Sequence, residues 1–250
     1  MDQAAYTQFR ELERDHWWFR GRRAIFFDVL DRALRGRAAV RTLDLGCGMG
    51  GMLGPLARYG PAFGTDVSEE GLSFCRGRGF TRVARADGYH LPFRDGTFDL
   101  VTLFDTVEHI PEDERVFAEA ARVLRPGGLL MITGPAYGFL YSDNDAFAQH
   151  CRRYTMGDLC RKTARAGFRP VERSYVNFFL FPVILPLVLI KSLLYRLRRP
   201  SAEQLRSNIS YRMPGPLNAA LSGIFGAERF VLRRMSVPVG HSLFLLARKA

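Results

Sequence analysis

The chain has 250 residues, four cysteines and a formal net charge of +11, from 36 Lys and Arg against 25 Asp and Glu. Hydrophobic residues at 47% and charged residues at 24% exclude wholesale disorder. Cys47, Cys75, Cys151 and Cys160 are scattered with no C-x-x-C pair, which excludes a disulfide scaffold and a zinc ribbon and predicts a reducing cytosol.

Residues 1–37 predict an N-terminal helical cover bearing the aromatic-basic run His16-Trp17-Trp18-Phe19-Arg20. Its polar, acid-bearing start predicts no signal peptide. Strands and helices then alternate through a core spanning 38–175. Val40–Leu45 reads as a buried strand, Pro61–Val67 as a second, Thr81–Ala86 as a weaker third and Phe98–Phe104 as a fourth. A helix over Glu112–Leu124 is expected to stop at the turn Pro126-Gly127-Gly128, ahead of a strand over Leu129–Thr133. An insertion over 176–238 precedes a last segment, 239–250, whose apolar strand is expected over His241–Ala247. Strands alternating with helices of this length imply a parallel sheet covered on both faces.

Between the first two strands lies Leu43-Asp44-Leu45-Gly46-Cys47-Gly48-Met49-Gly50-Gly51. Glycines directly after a strand let the backbone turn sharply and approach a ligand, while the next helix offers free N–H groups. Asp66, at the end of the second strand, is placed to accept hydrogen bonds from two ribose hydroxyls. The loop satisfies both G-x-G-x-G and G-x-G-x-x-G, so by itself it does not separate S-adenosylmethionine from a dinucleotide. Asp44 does bear on the choice, because dinucleotide folds normally carry an apolar residue there.

LDLGCGMG resembles the first motif of class I S-adenosylmethionine-dependent methyltransferases. GTDVSEEGLSFCRGRG is similar to their second, ADGYHLPFRDGTFDLV to their third and fourth, and RVLRPGGLLMIT to their fifth. HWWFRGRR and HCRRYTMGDLCRKTARAGF resemble a subgroup acting on small or lipid-like molecules. The resemblance implies a Rossmann-like α/β fold, a three-layer sandwich with a mostly parallel seven-stranded sheet, and S-adenosylmethionine as cofactor. It places Gly46, Gly48, Gly50 and the Cys47 backbone beside the methionyl part, with Asp44 in the same motif. Asp66 goes to the ribose, Val67 and Gly88 to the adenine ring, Asp87 to the adenine amino group and Phe104 to the sulfonium. Trp18 is either part of an aromatic lid over the cofactor or core packing of the added helix.

Methyl transfer needs alignment, and a base only where the nucleophile carries a proton. Asp105, Glu108 and His109 cluster after the fourth strand; on a helix begun at that turn they would share a face. The alternative is that Glu108 and His109 only cap the turn. In related quinone O-methyltransferases a similar acid-x-x-Glu-His pattern is associated with a divalent cation; Asp105 is shorter than the Glu found there, and no metal site is expected here. His150 and Tyr154, beside Arg152 and Arg153, form a second group suited to an acidic head group, or alternatively a helix start held by salt bridges with Thr155 as N-cap.

Ser174–Ile190 carries no charged residue, and Lys191, Arg196, Arg198 and Arg199 follow it. Its length is marginal for a membrane span and Pro182 and Pro186 are expected to break its ladder, so an interfacial segment on an anionic membrane surface is expected instead. A substrate lid and an oligomer contact are the alternatives. Nucleic acid is not expected as a partner, since no Asn- or Asp-Pro-Pro-aromatic motif follows the fourth strand. The sequence therefore predicts a cytoplasmic methyltransferase, peripheral at the inner face of a membrane, that methylates a small amphiphilic or lipid-linked acceptor at oxygen. A nucleic-acid methyltransferase and a non-catalytic cofactor-binding partner protein are the competing readings.

Overall fold

A computed structural model describes residues 13–198 and 213–250. The start of the expected N-terminal cover, residues 1–12, and Arg199 of the basic stretch lie outside the described residues. β1 (Thr42–Leu45), β2 (Ala62–Asp66), β3 (Val83–Arg85), β4 (Phe98–Phe104), β5 (Leu124–Pro135), β6 (Phe168–Val176) and β7 (Ser242–Lys249) form one sheet. The strand order is β3-β2-β1-β4-β5-β7-β6, with β7 antiparallel. β1 pairs in parallel with both β2 and β4, so its carboxyl end lies where the strand order turns back on itself. Ligands in open α/β sheets bind at that position.

The described residues divide into two compact units. One comprises Leu34–Gly134, Met156–Arg173 and Phe244–Ala250; the other comprises residues up to Ala33, Pro135–Thr155 and Ser174–Leu243.

In the first unit all four residues of β1 are buried, as are all but the last of β4. A strand covered on both faces has no solvent side, so the polar Asp44 and Thr102 are buried along with their apolar neighbours. Cys47, Leu53, Leu72 and Cys75 form a core beneath the glycine loop, joined by Ala62, Phe80 and Val83. Three helices matter to the site: α2 (Leu53–Ala57), α3 (Glu69–Gly77) and α4 (Asp113–Val123). α3 starts where it does because Ser68 Oγ accepts from Gly71 N at 3.1 Å, with Glu69 and Glu70 at the positive end of the helix dipole.

Pro126-Gly127-Gly128 does not act as the expected turn between helix and strand. α4 ends at Val123, and Leu124 is already extended and paired with Phe98. The next pairing is Leu100 with Leu129, so residues 125–128 bulge out within β5. Gly127 has φ +72°, and a Cβ on Gly128 would lie 2.9 Å from the Arg125 carbonyl oxygen, so the bulge requires this Gly-Gly pair.

In the second unit α1 (Trp17–Ala33) packs along α8 (Gly215–Leu232). A Cβ on Gly21 would lie 2.5 Å from Phe225 Cδ1, so this glycine sets how closely the two helices approach. Asp28 accepts from Arg233 Nε at 3.0 Å at the far end of the pair. The end of the uncharged segment and the start of the basic stretch together form α7 (Phe181–Arg198), and the prolines do not interrupt it. Pro182 sits in the first turn, where its missing N–H has no helical partner to lose, and Pro186 forfeits only the bond to the Pro182 carbonyl. Among the described residues no helix is long and apolar enough to cross a membrane.

Candidate active site

The glycine loop leaves β1 with Gly46 at φ +75°, Gly48 at +54° and Gly50 at +79°. Gly46 N and Cys47 N both donate to Thr65 O of β2, at 2.7 and 2.9 Å, which holds the loop against the strand end. A Cβ on Gly46 would come within 2.2 Å of Thr106 Cγ2, whereas a Cβ on Gly48 would meet nothing within 4 Å. One glycine is thus demanded by packing, and the other leaves open space beside the backbone.

Asp66 is buried and ties the loop to α3: Gly48 N donates to its Oδ2 and Ser68 N to its Oδ1, both at 2.8 Å. These bonds orient the carboxylate at the mouth of the loop. Asp44 is buried behind the loop and accepts from Thr102 Oγ1 at 2.7 Å. The Cys47 thiol is pushed far up by its hydrogen bond with Cys75, by burial and by the Asp44 and Asp66 carboxylates. The same negative field favours a cation at the loop.

Beyond β3, Asp87 Oδ1 accepts from Tyr89 N at 2.9 Å and His90 N at 3.2 Å. These bonds, the Tyr89 one first, hold the Asp87 carboxyl below the usual range. Gly88 is buried at φ +82°, 3.3 Å from Leu45 Cδ2 if given a Cβ, and Val67 is exposed. Phe104 ends β4 and is half-buried.

The expected helical face shared by Asp105, Glu108 and His109 does not form. Asp105 stands outside the helix in a left-handed conformation, φ +50°, and only a short 3-10 turn, Val107–His109, follows. Thr133 Oγ1 donates to Asp105 Oδ1 and accepts from Asp105 N, each at 3.1 Å. Glu108 is buried and His109 half-buried, with His109 N donating to Thr106 O. A strained non-glycine residue at a strand end is a feature of functional sites.

In the other unit, Asp145 organises the second group. It lies in α5 (Asp143–Phe147), fully buried, and accepts from Arg153 Nε at 2.8 Å and Nη2 at 2.9 Å. His150 Nδ1 lies 2.9 Å from its Oδ1. Burial opposes ionisation of Asp145, but hydrogen bonds from His150 and the Arg153 guanidinium outweigh it and hold the carboxyl well below the usual range. Tyr154 is buried and bridged to Ala136, and α6 (Met156–Arg165) begins two residues later. Sequence reasoning missed Asp145, although Ser142-x-x-Asp145 has the spacing of a capping box, which the structure forms. Trp18 packs edge-on to His241 at 5.8 Å and lies 5.3 Å from Phe225. Burial pushes the His241 imidazole down to about 3, with the Arg153 guanidinium adding to the effect, so the ring is neutral.

The strand order is that of the class I methyltransferase fold, with the glycine loop and paired acids at the carboxyl ends of β1 and β2. Residues 43–132 match the family model described as a methyltransferase domain, so the chain carries a class I S-adenosylmethionine-dependent methyltransferase domain. The domain implies S-adenosylmethionine as cofactor. The chain is 33% identical over 144 residues to a fatty-acid O-methyltransferase of Mycolicibacterium smegmatis, covering 55% of this chain and 47% of that one. It is 32% identical over 142 residues to a ubiquinone biosynthesis O-methyltransferase of Aromatoleum aromaticum, covering 51% and 60%. A solved methyltransferase structure from Thermotoga maritima superimposes with TM-score 0.59 over 100% of both chains at 17% identity. The chain spans about half the length of the first curated relatives it matches.

Proposed function

We propose that the chain methylates a small amphiphilic or lipid-linked acceptor at oxygen. The observation that carries the methyl-transfer reading is the loop itself: an open backbone at Gly48, cross-tied by the Asp66 carboxylate, with Asp44 buried behind it. These residues fit the cofactor, since a carboxylate at the end of β2 is an acceptor suited to ribose hydroxyls and the acids favour a positive sulfur. S-adenosylmethionine supplies a methyl group activated by that sulfur. Gly46, Cys47, Gly48 and Gly50 hold its amino-acid part, Val67, Asp87 and Gly88 its adenine, and Phe104 lines the reacting end. Trp18 is proposed as an aromatic contact to the cofactor.

An acceptor hydroxyl must lose its proton as oxygen takes the methyl group, and His109 is the proposed base, with Asp105 and Glu108 orienting it. His150 and Tyr154 are proposed to act on the acceptor. Oxygen and a lipid-like acceptor are favoured by the two O-methyltransferases named above, whose names specify a fatty acid and ubiquinone biosynthesis. An acceptor of this kind makes a membrane surface at the cytoplasmic face the natural partner.

The test is incubation with methyl-labelled S-adenosylmethionine and, in separate reactions, long-chain fatty acids, prenylated phenols and transfer RNA. Label is expected in an alkali-labile ester or an aryl ether from the organic phase. Label in the RNA, or in none of the three, defeats the acceptor reading. With a prenylated phenol, whose hydroxyl carries a proton, His109→Ala should lower turnover with cofactor affinity nearly unchanged; equal turnover across pH 6–9 would return His109 to a structural role.

A further inference from the structure

α7 turns hydrophobic residues in two opposite directions. Its inner side buries Phe181, Val188 and Ser192, with Ile184 and Leu185 half-buried, against Leu140 and Tyr137. Ser192 Oγ donates to Phe139 O at 3.0 Å, and the Tyr195 ring lies 5.8 Å from that of Tyr141. That contact accounts for the helix's attachment to its own unit.

The outer side has no such account. Val183, Leu187, Ile190, Leu194 and Leu197 recur in steps of four and three residues, so they form one stripe along the helix. Val183 is 68% exposed, Leu187 60%, Ile190 57% and Leu197 72%. The stripe runs for about 20 Å at the rise of an α-helix. At 100° per residue, Lys191 and Arg198 border it on one side, while Arg196 falls on the inner side beside Ser192. Arg196 Nη2 accordingly donates to Phe139 O at 3.1 Å, the oxygen that Ser192 also uses. No acidic residue occurs between 181 and 198.

We infer that α7 is a docking helix for an anionic lipid surface. The apolar stripe enters the acyl boundary, and Lys191 and Arg198 beside it meet the head groups. Charge selects this occupant over a second copy of the chain. Two such faces brought together would oppose cations to cations with no acid on either helix, whereas an anionic bilayer neutralises them. The helix lies in the surface and does not cross it, consistent with its modest length and with one face committed to its own unit. The biological use of this docking, access to a lipid-linked acceptor, rests on the reading above; the docking itself does not.

Vesicle flotation tests it with the full chain, using pure phosphatidylcholine beside phosphatidylcholine containing 30% phosphatidylserine. The parent is expected to float with the anionic vesicles. The double variant Lys191→Gln, Arg198→Gln should bind about 25-fold more weakly, since each cation near such a surface contributes roughly a factor of five. The pair Leu187→Gln, Ile190→Gln should abolish the binding that survives 0.5 M salt. All these side chains are exposed or border the exposed face, and calorimetric binding of S-adenosylmethionine reports whether each variant is folded. Three outcomes would overturn the inference: a parent that stays unbound to both vesicles, binding indifferent to the leucine and isoleucine changes, or a parent dimer that the same changes dissociate. Each can occur with methyl transfer intact, so it would not be mistaken for failure of the proposed reaction.

Discussion

A Cβ on Gly46 would sit 2.2 Å from Thr106 Cγ2, and the residue's φ of +75° is itself unfavourable for an L side chain. Gly46→Ala therefore has no easy relaxation, because Thr106 leads into the Val107–His109 turn. The substitution should weaken S-adenosylmethionine binding at least tenfold in calorimetry; unchanged affinity would mean that the loop does not hold the cofactor. Asp66→Ala tests the same site by removing a carboxylate, not by steric clash. Loss of hydrogen bonds to a charged group predicts about 1–3 kcal/mol less binding energy. Part of that loss passes through the loop, since Gly48 N and Ser68 N both lose their acceptor. Asp66→Asn should recover part of the affinity, because one amide oxygen still accepts.

Among the elements, the segment from β5 to α6 depends on one buried acid. Asp145→Ala would strand Arg153, whose side chain is 3% exposed, and would leave His150 without its Nδ1 partner. Removing one member of a buried ion pair typically costs about 3–5 kcal/mol. The urea midpoint should fall accordingly, and a shift below about 1 kcal/mol would show that the cluster relaxes around the gap. The α1–α8 pair makes a different prediction. With Phe225 fully buried, Gly21→Ala has to push the ring or separate the helices, an overpacking cost of about 1–3 kcal/mol. Gly21→Ala combined with Phe225→Leu should recover some of that loss, which a purely propensity-driven effect would not show.

On the scale of the whole molecule, Glu228 joins distant stretches of chain. This fully buried carboxyl of α8 accepts from Asn177 N at 2.6 Å and Phe179 N at 3.0 Å, fixing the chain just before α7. Burial outweighs those hydrogen bonds and pushes Glu228 up to about 7 from a usual 4.5. A folded value above the unfolded one means the folded state binds the proton more tightly. The stability from this group is then fully present below about pH 4.5 and lost as pH rises through about 7. Urea midpoints of the parent should consequently fall between pH 4.5 and 7.5 relative to those of Glu228→Gln, which cannot titrate. Parallel curves for the two proteins would show that Glu228 does not change charge in that range.

Within the sheet from β1 to β4, the central strands β1 and β4 were the most legible in the sequence because both are almost wholly buried, whereas the partly exposed β3 reads as a weaker strand. The cofactor loop was legible for a related reason: its chemistry is carried by backbone at glycines and by Asp44 and Asp66, all within one β-α-β stretch. Local spacing decides such features, since neighbours in sequence are there neighbours in space. Tertiary structure decided the rest. The Pro126-Gly127-Gly128 bulge exists because Leu124 finds Phe98 to pair with, and Asp105 leaves the helix because Thr133 holds it from the next strand. Asp145 became the centre of its cluster only when the chain folded Arg153 and His150 back onto it. The insertion's sequence shows that it is apolar and basic, but not which side faces water; packing against Leu140 and Tyr137 settles that. A one-dimensional pattern specifies which residues avoid water, and only the contacts of the folded chain determine which of them succeed.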